Sequence, residues 1–85
     1  MINQPLPPTS FIVKDADGRA YRCARIQHLH GDFIRQVITI PGIGKMTDNA
    51  IYGYDNDSIS AMIKRSKLIA GLIIANNLPG AVLAA

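Results

Sequence analysis

The chain has 85 residues, a formal net charge of +3 and a hydrophobic fraction of 48%. This length allows one domain with one modest core, and this hydrophobicity excludes wholesale disorder. One cysteine excludes an intramolecular disulfide, and the absence of tryptophan leaves packing to aliphatic side chains. All six acidic residues are Asp. A positive balance this small fits an ordinary soluble surface as well as a nucleic-acid or acidic partner.

Residues Met1 to Ser10 carry Pro5, Pro7 and Pro8 and are expected to form a flexible, extended lead-in to a single domain over 11–85. They lack the charged-then-apolar pattern of a secretory signal, which with the lone thiol predicts a cytoplasmic setting. Phe11-Ile12-Val13 reads as a short strand. Asp15-Ala16-Asp17-Gly18 is a strong turn signal, and Ala20 to His28 returns as a second strand. After a turn at His30-Gly31-Asp32, Phe33 to Ile40 is a third strand, dense in β-branched residues.

Pro41 to Gly44 breaks that strand. Thr47 is expected to cap a short helical turn through Ile51, followed by a loop through Gly53 and Asp55-Asn56-Asp57. Tyr52 and Tyr54 are expected to pack over a sheet edge.

Ser58 to Asn77 predicts a long helix. Asp55 to Ser58 supply N-cap oxygens, and Leu78-Pro79-Gly80 stops it. At 100° per residue, Ile59, Met62, Ile63, Ile69, Ala70, Ile73 and Ile74 form one apolar stripe. Ser60, Lys64, Lys67 and Gly71 fall on a polar flank. The expected fold is therefore α+β: a three-stranded antiparallel meander packed on one long C-terminal helix.

Leu68, Leu72 and Ala75 point nearly opposite to the stripe, so this end of the helix is apolar almost all round. Leaving each leucine in water forgoes about 1.5–3 kcal/mol. The simpler cover is the chain's own tail, Ala81 to Ala85; the other is a second protein chain. The uninterrupted apolar run, Leu68 to Ala75, is well short of the ~20 residues that a membrane span needs.

Ile40-Pro41-Gly42-Ile43-Gly44, with Val37 before it and Thr47 and Ile51 after it, resembles the hairpin of the helix-hairpin-helix family. The resemblance spans residues 37–51. It implies two short helices and sequence-independent binding of DNA backbone through exposed amides at Gly42, Ile43 and Gly44, with Lys45 pairing phosphate. Asp48 departs from the pattern, since a small apolar residue is usual there and a carboxylate repels phosphate.

Other chemistry is sparse. On a strand His28 and His30 share a face, while Cys23 has the opposite parity, and no second Cys or His pair completes a zinc spacing. A structural thiol is the expectation for Cys23, and no metal, cofactor or catalytic residue is implied. Arg19, Arg22 and Arg25 straddle the second strand; Lys64, Arg65 and Lys67 lie on the helix without acidic neighbours one turn away.

The leading expectation is a small non-enzymatic binding or regulatory module that contacts another protein or a second copy of itself through Leu68 and Leu72, rimmed by Lys64 and Lys67. In size and style it resembles accessory proteins of bacteriophages and mobile elements. The alternative is non-specific nucleic-acid binding through Pro41 to Lys45 and the basic residues, and a third is membrane association of the helix.

Overall fold

Turn chemistry sets the sheet. In the first connection Asp15 Oδ1 accepts from the amides of Asp17 and Arg19 at 3.0 and 2.9 Å, and Gly18 takes a φ of 84° that an L side chain would resist. In the second, Gly31 and Asp32 alone separate the paired residues His30 and Phe33. Gly31 has a positive φ of 61°, the glycine-first arrangement that matches strand twist. In the third, the amide of Ile43 donates to the carbonyl of Ile40 at 2.9 Å around Pro41 and Gly42, whose φ is 80°; this is the type II pattern.

A computed structural model of the chain describes residues 9–78. Its strands are β1 (Ser10–Lys14), β2 (Ala20–His30), β3 (Phe33–Ile40) and β4 (Gly44–Thr47), followed by the helix α1 (Asn56–Asn77). All pairings are antiparallel and the order is β1-β2-β3-β4. The expected α+β architecture is present, with a fourth strand. Where a helical turn from Thr47 to Ile51 was expected, Thr47 instead ends β4, and Ile51 is exposed in an irregular segment. The tight Pro-Gly turn folds the chain straight back onto β3, and Met46 alternates into the core. Most of the expected lead-in, and the tail Ala81 to Ala85, lie outside the described residues.

One face of the sheet meets α1. Tyr21, Cys23, Ile38 and Ile40 pack with Ile69, Ala70, Ile73 and Ile74, flanked by Phe11, Val13, Ile43 and Met46. Ile34, Tyr52 and Met62 form a second apolar group. The helix stripe is the predicted one, with Ile59 and Ile63 half-buried at its border. Gly71, expected on the polar flank, is buried. Glycine has little surface of its own, and its neighbours one turn away include Lys67, Leu68 and Ala75. Asp55 alone is the N-cap, so helical geometry starts at Asn56 rather than Ser58. Gly44 permits the far end of α1 to close on β4: a Cβ there would lie 2.9 Å from Asn77 Nδ2 and 3.2 Å from Ile73 Cγ2.

A buried polar network links the two apolar groups. Arg25, Gln36 and Asp48 are each almost fully buried. Gln36 Oε1 accepts from the Arg25 guanidinium at 3.1 Å, and Gln36 Nε2 donates to Asp48 Oδ2 at 2.9 Å and to the carbonyl of Met62 at 3.1 Å. The amide thus presents oxygen to a cation and nitrogen to an anion. Asp48 also accepts from the Tyr52 hydroxyl and, at 3.0 Å, from the amide of Ala50. Arg65 approaches it at 3.9 Å but is largely in solvent, so that ion pair contributes little.

Burial alone would raise the Asp48 pKa. The hydrogen bonds from Tyr52, Gln36 and Ala50, with the Arg65 charge, outweigh it and hold the carboxyl below its ordinary value of 3.8. A depressed folded pKa adds stability that is complete above the unfolded value and is lost as pH falls through the folded one. Asp15 follows the same sign: burial raises it, but bonds from the Arg19 amide, the Tyr21 hydroxyl and the Asp17 amide lower it further. The protein should therefore lose stability as pH falls below 3.8. Asp48→Asn should cost about 1–3 kcal/mol at pH 7 and flatten that acid limb. Urea unfolding followed by circular dichroism at pH 7 and pH 3 checks both.

Candidate functional site

The helix that closes the core leaves its opposite side bare. Asp55 fixes the start, accepting from the Ser58 amide at 2.8 Å and from its hydroxyl at 2.9 Å. From there the buried stripe commits the rotation of the whole rod, because residues three and four apart share a face. Leu68 and Leu72 then point away from the sheet's centre, 63% and 51% exposed. Those values belong to surface residues; the tail Ala81 to Ala85, the simpler cover expected for them, lies outside the described residues. Lys64 and Lys67 are exposed beside the two leucines.

The bare side does not stand alone. Leu68, Leu72, Gly71, Ala75, Lys64 and Lys67 line one wall of an open groove of about 840 Å³, and Ile12, Val13 and Lys14 of β1 line the other. All four predicted contact residues therefore share a single concave surface, and the structure adds a strand to it.

That strand is an edge. Its hydrogen-bond phase follows from two bonds at its ends: the Arg25 amide donates to the carbonyl of Thr9 at 2.6 Å, and the Asp15 amide to the carbonyl of Arg19 at 3.0 Å. Both pairs belong to the register that matches Phe11 with Cys23 and Val13 with Tyr21. In an antiparallel ladder alternate residues turn their backbone groups inward. Thr9, Phe11, Val13 and Asp15 thus bond toward β2, while Ser10, Ile12 and Lys14 direct N–H and C=O groups outward. Among the described residues, no strand pairs with that outer edge. Composition alone did not mark Ile12, Val13 and Lys14; the signal available was topological, since the first strand of a meander must be an edge.

The hairpin residues are placed differently from what the helix-hairpin-helix resemblance implies. Strands flank Pro41 to Ile43 in place of two helices. The Ile43 amide is used inside the turn. Gly44 pairs with Ile40 in a ladder phased by the bond from the Asp48 amide to the Gln36 carbonyl, so its amide also faces β3. Only Gly42 of the three keeps an outward amide, and Lys45 sits exposed on the sheet face away from α1. Asp48, odd for a phosphate site, is accounted for by the buried network.

That outer sheet face also carries Lys14, Arg22, His28 and Arg35, and none of the four strands contains an acidic residue. Arg25, grouped with the surface arginines by sequence, lies instead on the helix-facing side, where burial lowers its pKa. Cys23 is sealed on that side too, its thiol donating to the Tyr21 carbonyl at 3.5 Å, while His28 and His30 are exposed on the other. Among the described residues no three His, Cys, Asp or Glu side chains gather as a metal-holding group, and no helix is long and apolar enough to cross a membrane.

Comparison of the chain with protein-family models, with curated proteins and with solved structures gives no significant match.

Burial pushes the Cys23 thiol pKa up, against a smaller lowering by the Val13 backbone. Under native conditions at pH 8 the thiol should therefore resist a chromogenic disulfide reagent, and it should react in full after denaturation. Rapid native labelling would show that the β1–α1 layer opens readily.

Proposed function

We propose that the protein is a small, non-enzymatic binding module that holds another protein chain against the side of α1 that its own core does not use. The observation that carries this is the convergence of Lys64, Lys67, Leu68 and Leu72 on one groove with an open strand. Exposed leucines scattered singly need no explanation. Two of them one helical turn apart, walling a concave apolar surface with a charged rim, have the composition of a contact site. Replacing both leucines with Asp should leave the unfolding midpoint within about 0.5 kcal/mol of the parent, because neither is in the core. It should abolish partner capture, or self-association where the partner is a second copy. Light scattering and pull-down with the two proteins side by side check this; a double variant that unfolds would return the patch to the core and end the reading.

A second reading, non-specific nucleic-acid binding, draws support from the acid-free outer sheet face. It uses Arg22, Arg35 and Lys45 rather than the amides of the hairpin. Fluorescence anisotropy with a labelled oligonucleotide should then give affinity that falls linearly in log–log form with salt. Reversal of Arg22 and Arg35 to Glu should reduce that slope by about 2. No binding at micromolar protein in low salt would dismiss it.

A further inference from the structure

The groove has two kinds of wall, and together they specify a ligand more narrowly than either does alone. One wall is apolar with lysines. The other is a row of backbone groups at Ser10, Ile12 and Lys14 that no described residue pairs with. We propose that the groove takes an extended peptide segment of a foreign protein, added to β1 as a fifth strand, with aliphatic side chains alternating with acidic ones. This rests on the reading of the patch as a protein contact and adds the partner's conformation and charge.

Dimensions agree with a strand. The helix wall from Lys64 to Ala75 runs about 17 Å at 1.5 Å per residue. A five-residue strand matching β1 covers about 17 Å at 3.3–3.4 Å per residue. Every second side chain of an added strand would face α1 and meet Leu68 and Leu72. The intervening ones would lie beside Ile12 and Lys14 on the outer face. Strand addition satisfies the outward amides and carbonyls directly, which neither a docked helix nor a lipid surface does.

Charge selects among strands. Lys14, Lys64 and Lys67 line the groove, and among the described residues no acidic one joins them. A second copy pairing β1 to β1 about a two-fold axis at Ile12 would set each Lys14 opposite a Ser10, offering the lysines no carboxylate, in a chain already at +3. An acidic segment sets its carboxylates beside Lys14, and the Lys64 and Lys67 charges across the groove act on it with favourable sign.

Selection of a displayed library of random twelve-residue peptides on the immobilised full chain tests this. The expected consensus alternates Val, Ile or Leu with Asp or Glu. The synthetic consensus peptide should lose about tenfold or more in affinity when N-methylated at the alternate residues that would face β1. On the protein side, Ile12→Pro removes an outward amide without touching the β1–β2 ladder and should weaken binding similarly, whereas Ile12→Thr should not. Lys64→Glu with Lys67→Glu should weaken the preference for acidic peptides, and adding Lys14→Glu should reverse it toward basic ones.

No enrichment, or a basic or helical consensus, overturns the proposal. So does a consensus peptide indifferent to N-methylation, a result that needs no protein variant to fold. If such a peptide still depends on Leu68 and Leu72, the contact patch stands and only strand addition falls; if it depends on neither, both fall. A stable dimer broken by Ile12→Pro, or binding confined to phosphatidylserine vesicles, assigns the groove to another occupant and also overturns it.

Discussion

Asp48 is the constraint on which the arrangement turns. A carboxylate nearly sealed from water is costly unless its lone pairs are satisfied, and here Gln36 of β3 and Ala50 and Tyr52 of the segment after β4 satisfy them. Gln36 joins it to the main chain of the helix at Met62 and, through its oxygen, to Arg25 on β2. Apolar contacts are tolerant of sliding; a donor and an acceptor within 3.1 Å are not. The network therefore fixes where the helix begins its run across the sheet. The buried stripe sets the rotation of α1, and with it the exposure of Leu68 and Leu72, while this joint pins the helix along the sheet two turns earlier.

The same joint explains why the core is divided. Ile34, Tyr52 and Met62 lie on one side of the polar network, and the larger group around Ile38 and Ile73 lies on the other. The smaller group closes the irregular segment leading into the helix: the Ile34 amide donates to the Tyr52 carbonyl at 2.7 Å and the Tyr52 amide to the Ile34 carbonyl at 2.9 Å. Tyr52 then uses its hydroxyl on Asp48, which together with burial raises its own pKa. Each polar group in the interior thus answers another, and among the described residues no buried side-chain nitrogen or oxygen lacks a partner.

Much of this was written in local pattern. The β-branched density of Phe33 to Ile40, the Asp-Gly turn and the apolar stripe of the helix each depend on neighbours in sequence, and each was legible. The placement of Leu68 and Leu72 away from the core stripe was legible for the same reason, since a wheel separates them from Ile69 and Ile73. β4 was not: of Gly44–Thr47 only Met46 carries an apolar side chain, and a Pro-Gly pair ends a strand as readily as it reverses one. The role of Asp48 is set by partners 12 and 26 residues apart along the chain through Gln36, beyond any local pattern. A clue did exist in Arg25 and Gln36, polar residues at the same parity as Cys23 and Ile38. Polar groups on a buried face announce a network, though not its partners.

The groove follows from what the fold leaves over. A four-stranded meander has two edges, and an edge with unpaired backbone invites indiscriminate pairing. A lysine on such an edge, and a strand only five residues long, are ordinary protections. Here the protection and the recognition chemistry are the same atoms. In the strand-addition proposal Lys14 is the charge that favours an acidic strand, and Lys64 and Lys67 lie along the apolar wall beside it. Leu68 and Leu72 then supply burial that an acidic strand could use only by carrying aliphatic side chains on the helix-facing side. Selectivity of the kind proposed needs no deep pocket; it would come from requiring backbone pairing, alternation and charge of one short segment at once.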